Sequence, residues 1–250
     1  MVARGEYECM TFEPRTYRRA VQSDDLVSFE VAIKETDLQV CAFRDLTDEA
    51  EDLVVQARWE LENFIRHHPR FAETFVPYDV PDEAPENIRR MADAAKLARV
   101  GPMAAVAGMI AEHVAYGLAK FSPEVIVENG GDTYLIGMVD RTVALWAGAE
   151  GVSEVGLQIR GGLMPIAVCT SSGRIGHSES FGDADAVTVL ARNGALADAV
   201  ATGLANRIHT HEDIHRAIEA AKQVHGVLGV LATIDGHIGA WGNVRLTSLS

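Results

Sequence analysis

From Val27 to Arg44 apolar and polar residues alternate on both sides of Glu35–Asp37, the pattern of a β-hairpin with one buried face. The period then changes. Thr47 reads as an N-cap followed by the acids Asp48 and Glu49. Leu53, Val54, Ala57, Leu61 and Ile65 fall at helical spacing, so a helix should run to His67–His68, just before Pro69. Residues 69–86 hold Pro69, Pro77, Pro81 and Pro85 and predict a loop or link rather than regular structure. A second helix is expected from about Glu86 to Arg99. A third should run from Pro102, suited to a first turn, to Lys120.

Beyond residue 120 the chain turns β-rich. Val125–Val127, Val143–Trp146, Leu157–Ile159, Ile166–Cys169 and Ala186–Leu190 are short apolar runs separated by glycine-containing turns. Helices are expected at about Ala195–Ile208 and Glu212–His225, and Val227–Trp241 reads as two strands around Asp235–Gly236. No internal repeat is visible. The order is neither strict βαβ alternation nor all-β. It predicts a mixed α/β (α+β) fold in one integrated domain over residues 1–250, with a hairpin-helix part at 1–85 and a ligand-cleft core at 86–250.

Composition narrows the function classes. The 250 residues carry 22 Lys+Arg against 36 Asp+Glu, a formal charge of −14, with 48% apolar residues. Such an acidic chain lacks the clustered basic face that nucleic-acid binding needs, so no nucleic-acid partner is expected. Gly101–Ala119 is the longest stretch of low polarity, but Glu112 and His113 lie within it, and a buried helix accounts for it better than a membrane span. Neither a secretory signal nor a lipoprotein leader can be read in residues 1–14. Cys9, Cys41 and Cys169 have no paired spacing, so neither a disulfide framework nor a zinc knuckle is suggested and a reducing cytoplasm is expected. The chain could also pair with copies of itself as a homo-oligomer.

Four patterns could carry chemistry. In Glu128-Asn129-Gly130-Gly131-Asp132 two glycines at a strand end let backbone amides approach a ligand, with Asn129 and Asp132 adding side-chain donors and acceptors. An ordinary Gly-Gly turn has the same composition. In Cys169-Thr170-Ser171-Ser172-Gly173-Arg174 the hydroxyls, glycine and arginine suit a phosphate or carboxylate cradle. Cys169 could there be a nucleophile activated by His177, or simply a small buried side chain. Asp198 and Thr202, four apart in an Ala- and Leu-rich helix, share one face with Cβ atoms about 6 Å apart. Their oxygens suit a hard cation such as Mg2+, although an acid in a first helical turn is also favoured by the helix dipole. His211 and His215 have metal-ligand spacing, but His209–Arg216 is strongly polar and reads as a solvated face.

Taken in order, Gly101–Gly108, Glu128–Asp132, Thr170–Gly173 and Ala197–Thr202 resemble the ApbE-like superfamily. The chain is most similar to the short, uncharacterised family placed beside ApbE. That likeness spans nearly the whole chain, including Arg15-Thr16-Tyr17-Arg18 and Glu35-Thr36-Asp37-Leu38. Likeness to the ApbE enzymes themselves covers roughly residues 95–240. Those enzymes are Mg2+-dependent flavin transferases that cleave FAD and attach FMN to a threonine of a partner flavoprotein. The resemblance implies an ApbE-like fold, a Mg2+ held by Asp198 and Thr202, which match an Asp-x-x-x-Thr pair, and a flavin nucleotide, FAD or FMN. The nucleotide would be seated by Asn129, Gly130, Gly131 and Thr170, Ser171, Ser172, Gly173. Asp132 and His177 would be the catalytic groups, with Asp183 and Asp185 behind them. Two family blocks differ here. The Lys-Gly-aromatic-Ala-Val-Asp stretch lacks its lysine and aspartate, with Ala107 near the acid's place. The His-Ile-Ile-Asp-Pro-Arg-Thr-Gly loop is replaced by His177-Ser178 and Asp183-Ala184-Asp185. The resemblance therefore also admits an accessory protein of anaerobic sulfide assimilation and homocysteine synthesis, in which Cys169 would matter most, or a scaffold with a vestigial cleft.

Overall fold

Strands β1 (Val27–Ile33) and β2 (Thr36–Ala42) form the N-terminal hairpin, turning at Lys34–Glu35, slightly earlier than the alternation suggests. The computed structural model describes residues 21, 23, 25–146, 152–173 and 181–249. Helix α1 (Thr47–His67) follows, and its first turn is capped by Asp45 rather than by Thr47. Asp45 Oδ1 accepts the Thr47 amide at 2.9 Å and the Thr47 hydroxyl at 2.6 Å. The proline-rich link is not wholly irregular. A one-turn helix α2 (Arg70–Glu73) forms directly behind Pro69, where proline supplies a helical φ, and Phe71 anchors it in the core.

Helix α3 (Glu86–Ala98) is followed by a 3-10 turn (Pro102–Ala105) and then α4 (Val106–Leu118), so the third helix begins tighter than an α-helix. The axes of α3 and the Pro102–Leu118 run are bent by 106°, and among the described residues no single helix is long and apolar enough to cross a membrane. Next come β3 (Val125–Asn129), β4 (Asp132–Ile136), β5 (Arg141–Trp146), β6 (Val152–Ile159), β7 (Ile166–Ser171) and β8 (Ala186–Ala191). Helices α5 (Gly194–Ala205) and α6 (Asp213–Lys222) precede β9 (Val227–Ile234), β10 (His237–Gly242) and β11 (Leu246–Ser248). The sequence pattern misses β4. Its five residues are almost all buried on both faces, which removes the alternation that marks a strand. β11, three residues long, is missed for its shortness.

Eight strands form one antiparallel sheet in the order β1-β2-β3-β4-β7-β8-β9-β10, and β11-β6-β5 form a second. Both faces of the large sheet are covered. Val40, Val127, Tyr134, Cys169, Val189 and Val230 pack towards the helices. Cys41, Ile126, Leu135, Val168, Leu190 and Leu231 face Val143, Leu157 and Ile159 of the small sheet. The result is a helix layer, a large sheet and a small sheet, the mixed α+β arrangement expected of the chain. Where α4 and α5 cross, on the helix side, the candidate site lies.

Candidate functional site at the crossing of α4 and α5

The crossing is close because both helices bring a glycine to it. A Cβ on Gly108 would stand 2.3 Å from Gly194 O, and one on Gly194 would stand 2.2 Å from Gly108 O. At this distance each helix can cap the other with an acid. Asp198 of α5 accepts the Gly108 amide of α4 through Oδ2 at 2.9 Å. Glu112 of α4 accepts the Gly194 amide of α5 through Oε2 at 2.7 Å, while Arg90 holds its Oε1 at 2.5 Å. Each carboxylate thus meets unpaired amides at the positive end of the opposite helix. Asp198 lies past the first turn of its own helix, so the dipole it serves is that of α4, not of α5.

Asp132 closes the cluster from the sheet. The hairpin β3–β4 turns through Gly130 (φ 66°) and Gly131 (φ 105°), both in conformations that favour glycine. Asp132, first residue of β4, points to the helix side like Tyr134. Burial, then the charge of Asp198, push its carboxyl well above the ordinary carboxylate range. The Cys169 thiol and the Thr170 backbone amide act the other way by hydrogen bonding to it. Asp198 is itself pushed by burial up to about 7, against the pull of the Gly108 and Ala107 amides. Asp132 Oδ1 is buried with no hydrogen-bond partner. Two buried carboxyls with one orphaned oxygen make a cluster that calls for a proton or a cation.

The sequence-derived candidates are placed unequally. Asp132, Cys169 and Asp198 are brought together. Thr202, half-buried, follows one turn further along α5. The Thr170 hydroxyl does not join them. It points to the small-sheet face, where it shares a hydrogen bond of 2.9 Å with Thr188, and only its amide reaches Asp132. The Gly131 amide is not a free anion donor either, because Glu128 Oε1 accepts it at 2.6 Å. Asn129 Nδ2 is engaged with Ala107 O at 3.1 Å, which ties the hairpin to the start of α4. Gly130 faces open space. Ser171 and Ser172 are half-buried, and the Gly173 amide is donated to Ala184 O at 2.9 Å. His177 lies outside the described residues. Asp183 is paired with His209 at 3.0 Å, and Asp185 accepts the Asp235 amide at 2.6 Å.

Cys169 does not suit a nucleophile. It is 1% exposed, and burial followed by the charge of Asp132 keeps its thiol protonated. The histidine group lies elsewhere, lining an open groove of about 420 Å3 between α6 and β10 in which His211 stacks on His237 at 4.4 Å. Among the described residues, no three His, Cys, Asp or Glu side chains are arranged to hold a metal ion. The Glu112–Gly194 cap is not legible in the sequence. Its signal was a lone acid inside an apolar helix, without a clue to its partner.

Curated relatives and solved structures are similar to this chain over most of its length. A UPF0280 protein of Methanocaldococcus jannaschii is 38% identical over 221 residues, covering 86% of this chain and 90% of the relative. A UPF0280 protein of Methanocella arvoryzae is 37% identical, with 85% and 87% covered. A mutant of the flavin transferase ApbE from Vibrio cholerae superimposes with a TM-score of 0.58 at 14% identity, over 87% of this chain and 97% of that one. The apo flavinyl transferase ApbE from Pseudomonas stutzeri gives 0.56 at 12% identity, over 87% and 94%. The fold is that of ApbE. With a family model described as AbpE bacteria matching residues 18–235, and with relatives this similar over most of their length, the chain belongs to that family.

Proposed function

We propose that this chain binds Mg2+ together with a flavin or related nucleotide at the Asp132–Asp198 cluster, FMN transfer from FAD being the chemistry such a site would serve. The observation that carries the reading is Asp132 Oδ1, buried without a partner beside a second raised carboxyl. The donors fit a hard cation: two carboxylates and the Thr202 hydroxyl offer oxygen, and the protonated Cys169 thiol does not compete. Mg2+ commonly takes one or two carboxylates and leaves its other positions to water and substrate phosphates, so a closed protein cage is not required. When bound, it would neutralise diphosphate charge and polarise a phosphoryl oxygen.

The protein's own groups would do the rest. Asp132, its carboxyl raised by burial and by the charge of Asp198, is the group that would accept the proton of an incoming hydroxyl. The Gly108 amide holds Asp198 in place, so the carboxylate presents its other lone pairs in a fixed direction. Gly130, open above the turn, would allow the nucleotide close to the backbone. The buried Cys169 speaks against the sulfur-pathway alternative in which that thiol reacts.

The test uses calorimetric titration of Mg2+ and FAD, followed by incubation with FAD, Mg2+ and a threonine-bearing peptide, assayed for AMP. Asp198→Asn is the control, since an amide oxygen can still accept the Gly108 amide while the charge is gone. Mg2+-dependent FAD binding that weakens at least about tenfold in the variant is expected. Equal binding by parent and variant would reject the site, and AMP release above the control would establish transfer.

A further inference from the structure

The outer face of the small sheet holds a second cluster of charge, remote from the carboxylates. Along β6, Leu157 and Ile159 point inward and are fully buried, which turns Gln158 and Arg160 outward. Strand β11 pairs with β6 in the register Leu246↔Leu157. The ladder continues through a hydrogen bond from Gln158 N to Arg245 O of 2.8 Å, which sets Arg245 across from Gln158. Gln158, Arg160, Asn243 and Arg245 together line a recess of about 230 Å3.

Its walls are fixed. The connector from β10 turns at Gly242 (φ 81°), where a Cβ would stand 2.2 Å from Leu228 O, and Asn243 N donates to Leu228 O at 2.9 Å. On the inner face of the same sheet, Arg141 is matched by Asp25 at 2.5 Å and Glu124 at 3.2 Å. Arg160 and Arg245, by contrast, have no carboxylate partner among the described residues, in a chain with 36 acids to 22 bases. Asp140 reaches this corner, but its Oδ1 accepts the Gly161 amide at 2.8 Å rather than a guanidinium. Arg192 is turned onto the carbonyls of Leu163, which lines the recess, and Pro165 at 3.4 and 3.3 Å.

We propose that the Gln158–Arg160–Asn243–Arg245 face binds a phosphate dianion, free or as a compact phosphate monoester. Two guanidinium forks present paired donors to tetrahedral oxygens, and the amides of Gln158 and Asn243 add neutral ones. The recess is smaller than drug-sized pockets, so it takes a single phosphate group rather than a whole dinucleotide. This site is independent of the Asp132–Asp198 cluster.

Inorganic phosphate titrated into the 15N-labelled full chain, with chloride at equal ionic strength as the control, tests it. Saturable amide shifts confined to residues 158–163 and 242–246 are expected, with about tenfold weaker binding in R160A/R245A. The same shifts in Asp132→Asn separate this site from the carboxylate cluster. Both arginines are exposed, so the double variant should fold, and an unchanged thermal midpoint checks that it does. Glycerol 3-phosphate matching inorganic phosphate would support the monoester form. No saturable shift, equal shifts in the double variant, or tighter binding of succinate than of phosphate would overturn the proposal.

Discussion

Gly108 of α4 and Gly194 of α5 meet backbone to backbone, each occupying the space where the other's side chain would begin. Everything at the site depends on that approach. It lets Asp198 reach the Gly108 amide and Glu112 reach the Gly194 amide, so the two helices exchange caps. One contact therefore joins the packing of the helix layer to the position of the carboxylate assigned to the cation.

Gly108→Ala and Gly194→Ala should each destabilise the fold by about 3 kcal/mol or more, since the neighbour is backbone and cannot move as a side chain would. Both should also weaken Mg2+ binding, by withdrawing the amide that orients Asp198. Urea denaturation measures the first effect and calorimetry the second. Alanine variants of parental stability would mean that the helices are free to separate.

Arg141→Ala should cost about 3–5 kcal/mol. The guanidinium is 4% exposed and neutralises Glu124, which is also buried and accepts the Met138 and Val139 amides at 2.7 and 3.2 Å. Removing it leaves Glu124 charged in an apolar corner between the two sheets. Arg141→Lys should recover only part of the loss, because one ammonium cannot serve Asp25 and Glu124 with paired donors. A denaturation series over parent, Lys and Ala variants gives the ranking, and an Ala variant within about 1 kcal/mol of the parent would refute the account.

Much of this fold is legible where one face of an element is buried. The hairpin Val27–Ala42 and helix α1 carry clear periods because their outer faces meet water. Between β3 and β9 the large sheet is covered on both faces, so period 2 fades and the facing of a side chain cannot be read. For that reason the sequence groups Thr170 with Asp132, though its hydroxyl points away, whereas Cys169 one residue earlier points in. Asp198 and Thr202 are legible as a pair because a helix fixes their spacing. The caps are not, since Gly108 and Asp198 are 90 residues apart and no local pattern records the crossing.

Acid should weaken the protein through His113. Asn87 Nδ2 donates to His113 Nδ1 at 3.3 Å and to Glu60 Oε2 at 3.1 Å, which leaves the ring proton on a buried, unpartnered Nε2. Burial lowers the His113 pKa from 6.5, and Arg90 and Lys120 add to this while Glu60 and Glu112 oppose it. The native ring stays neutral where the unfolded one takes a proton, so stability falls as pH drops below about 6.5 and continues to fall to the lowered native value. His113→Gln should flatten that slope between pH 7 and 5, measured by urea midpoints in an Asp132→Asn background. An unchanged slope would assign the acid loss to other groups.

The carboxyl pair has the opposite sign, and it is the sharpest test of the cation site. An acid with a raised folded pKa keeps a proton in the native state that the unfolded chain releases. Between the unfolded value of 3.8 and about 7, Asp198 therefore makes the protein less stable as pH rises, and above that the penalty is constant. Asp132 adds to it, being raised by burial and by Asp198. In chelator at pH 8, Asp132→Asn should thus be more stable than the parent by about 1–2 kcal/mol, because a neutral amide replaces a buried carboxyl whose ionisation beside Asp198 is penalised. Adding Mg2+ should reverse the order. The cation stabilises the parent by pairing with both carboxylates, by an amount that grows with its concentration, and does less for a variant with one charge missing. Below pH 5 the two proteins should converge, since the parent then carries its own proton. Denaturation curves at pH 5 and pH 8, each with chelator and with Mg2+, give all four comparisons. A parent whose stability ignores Mg2+ at pH 8 would show that the orphaned Asp132 oxygen is matched by a proton alone, and the metal assignment would fall.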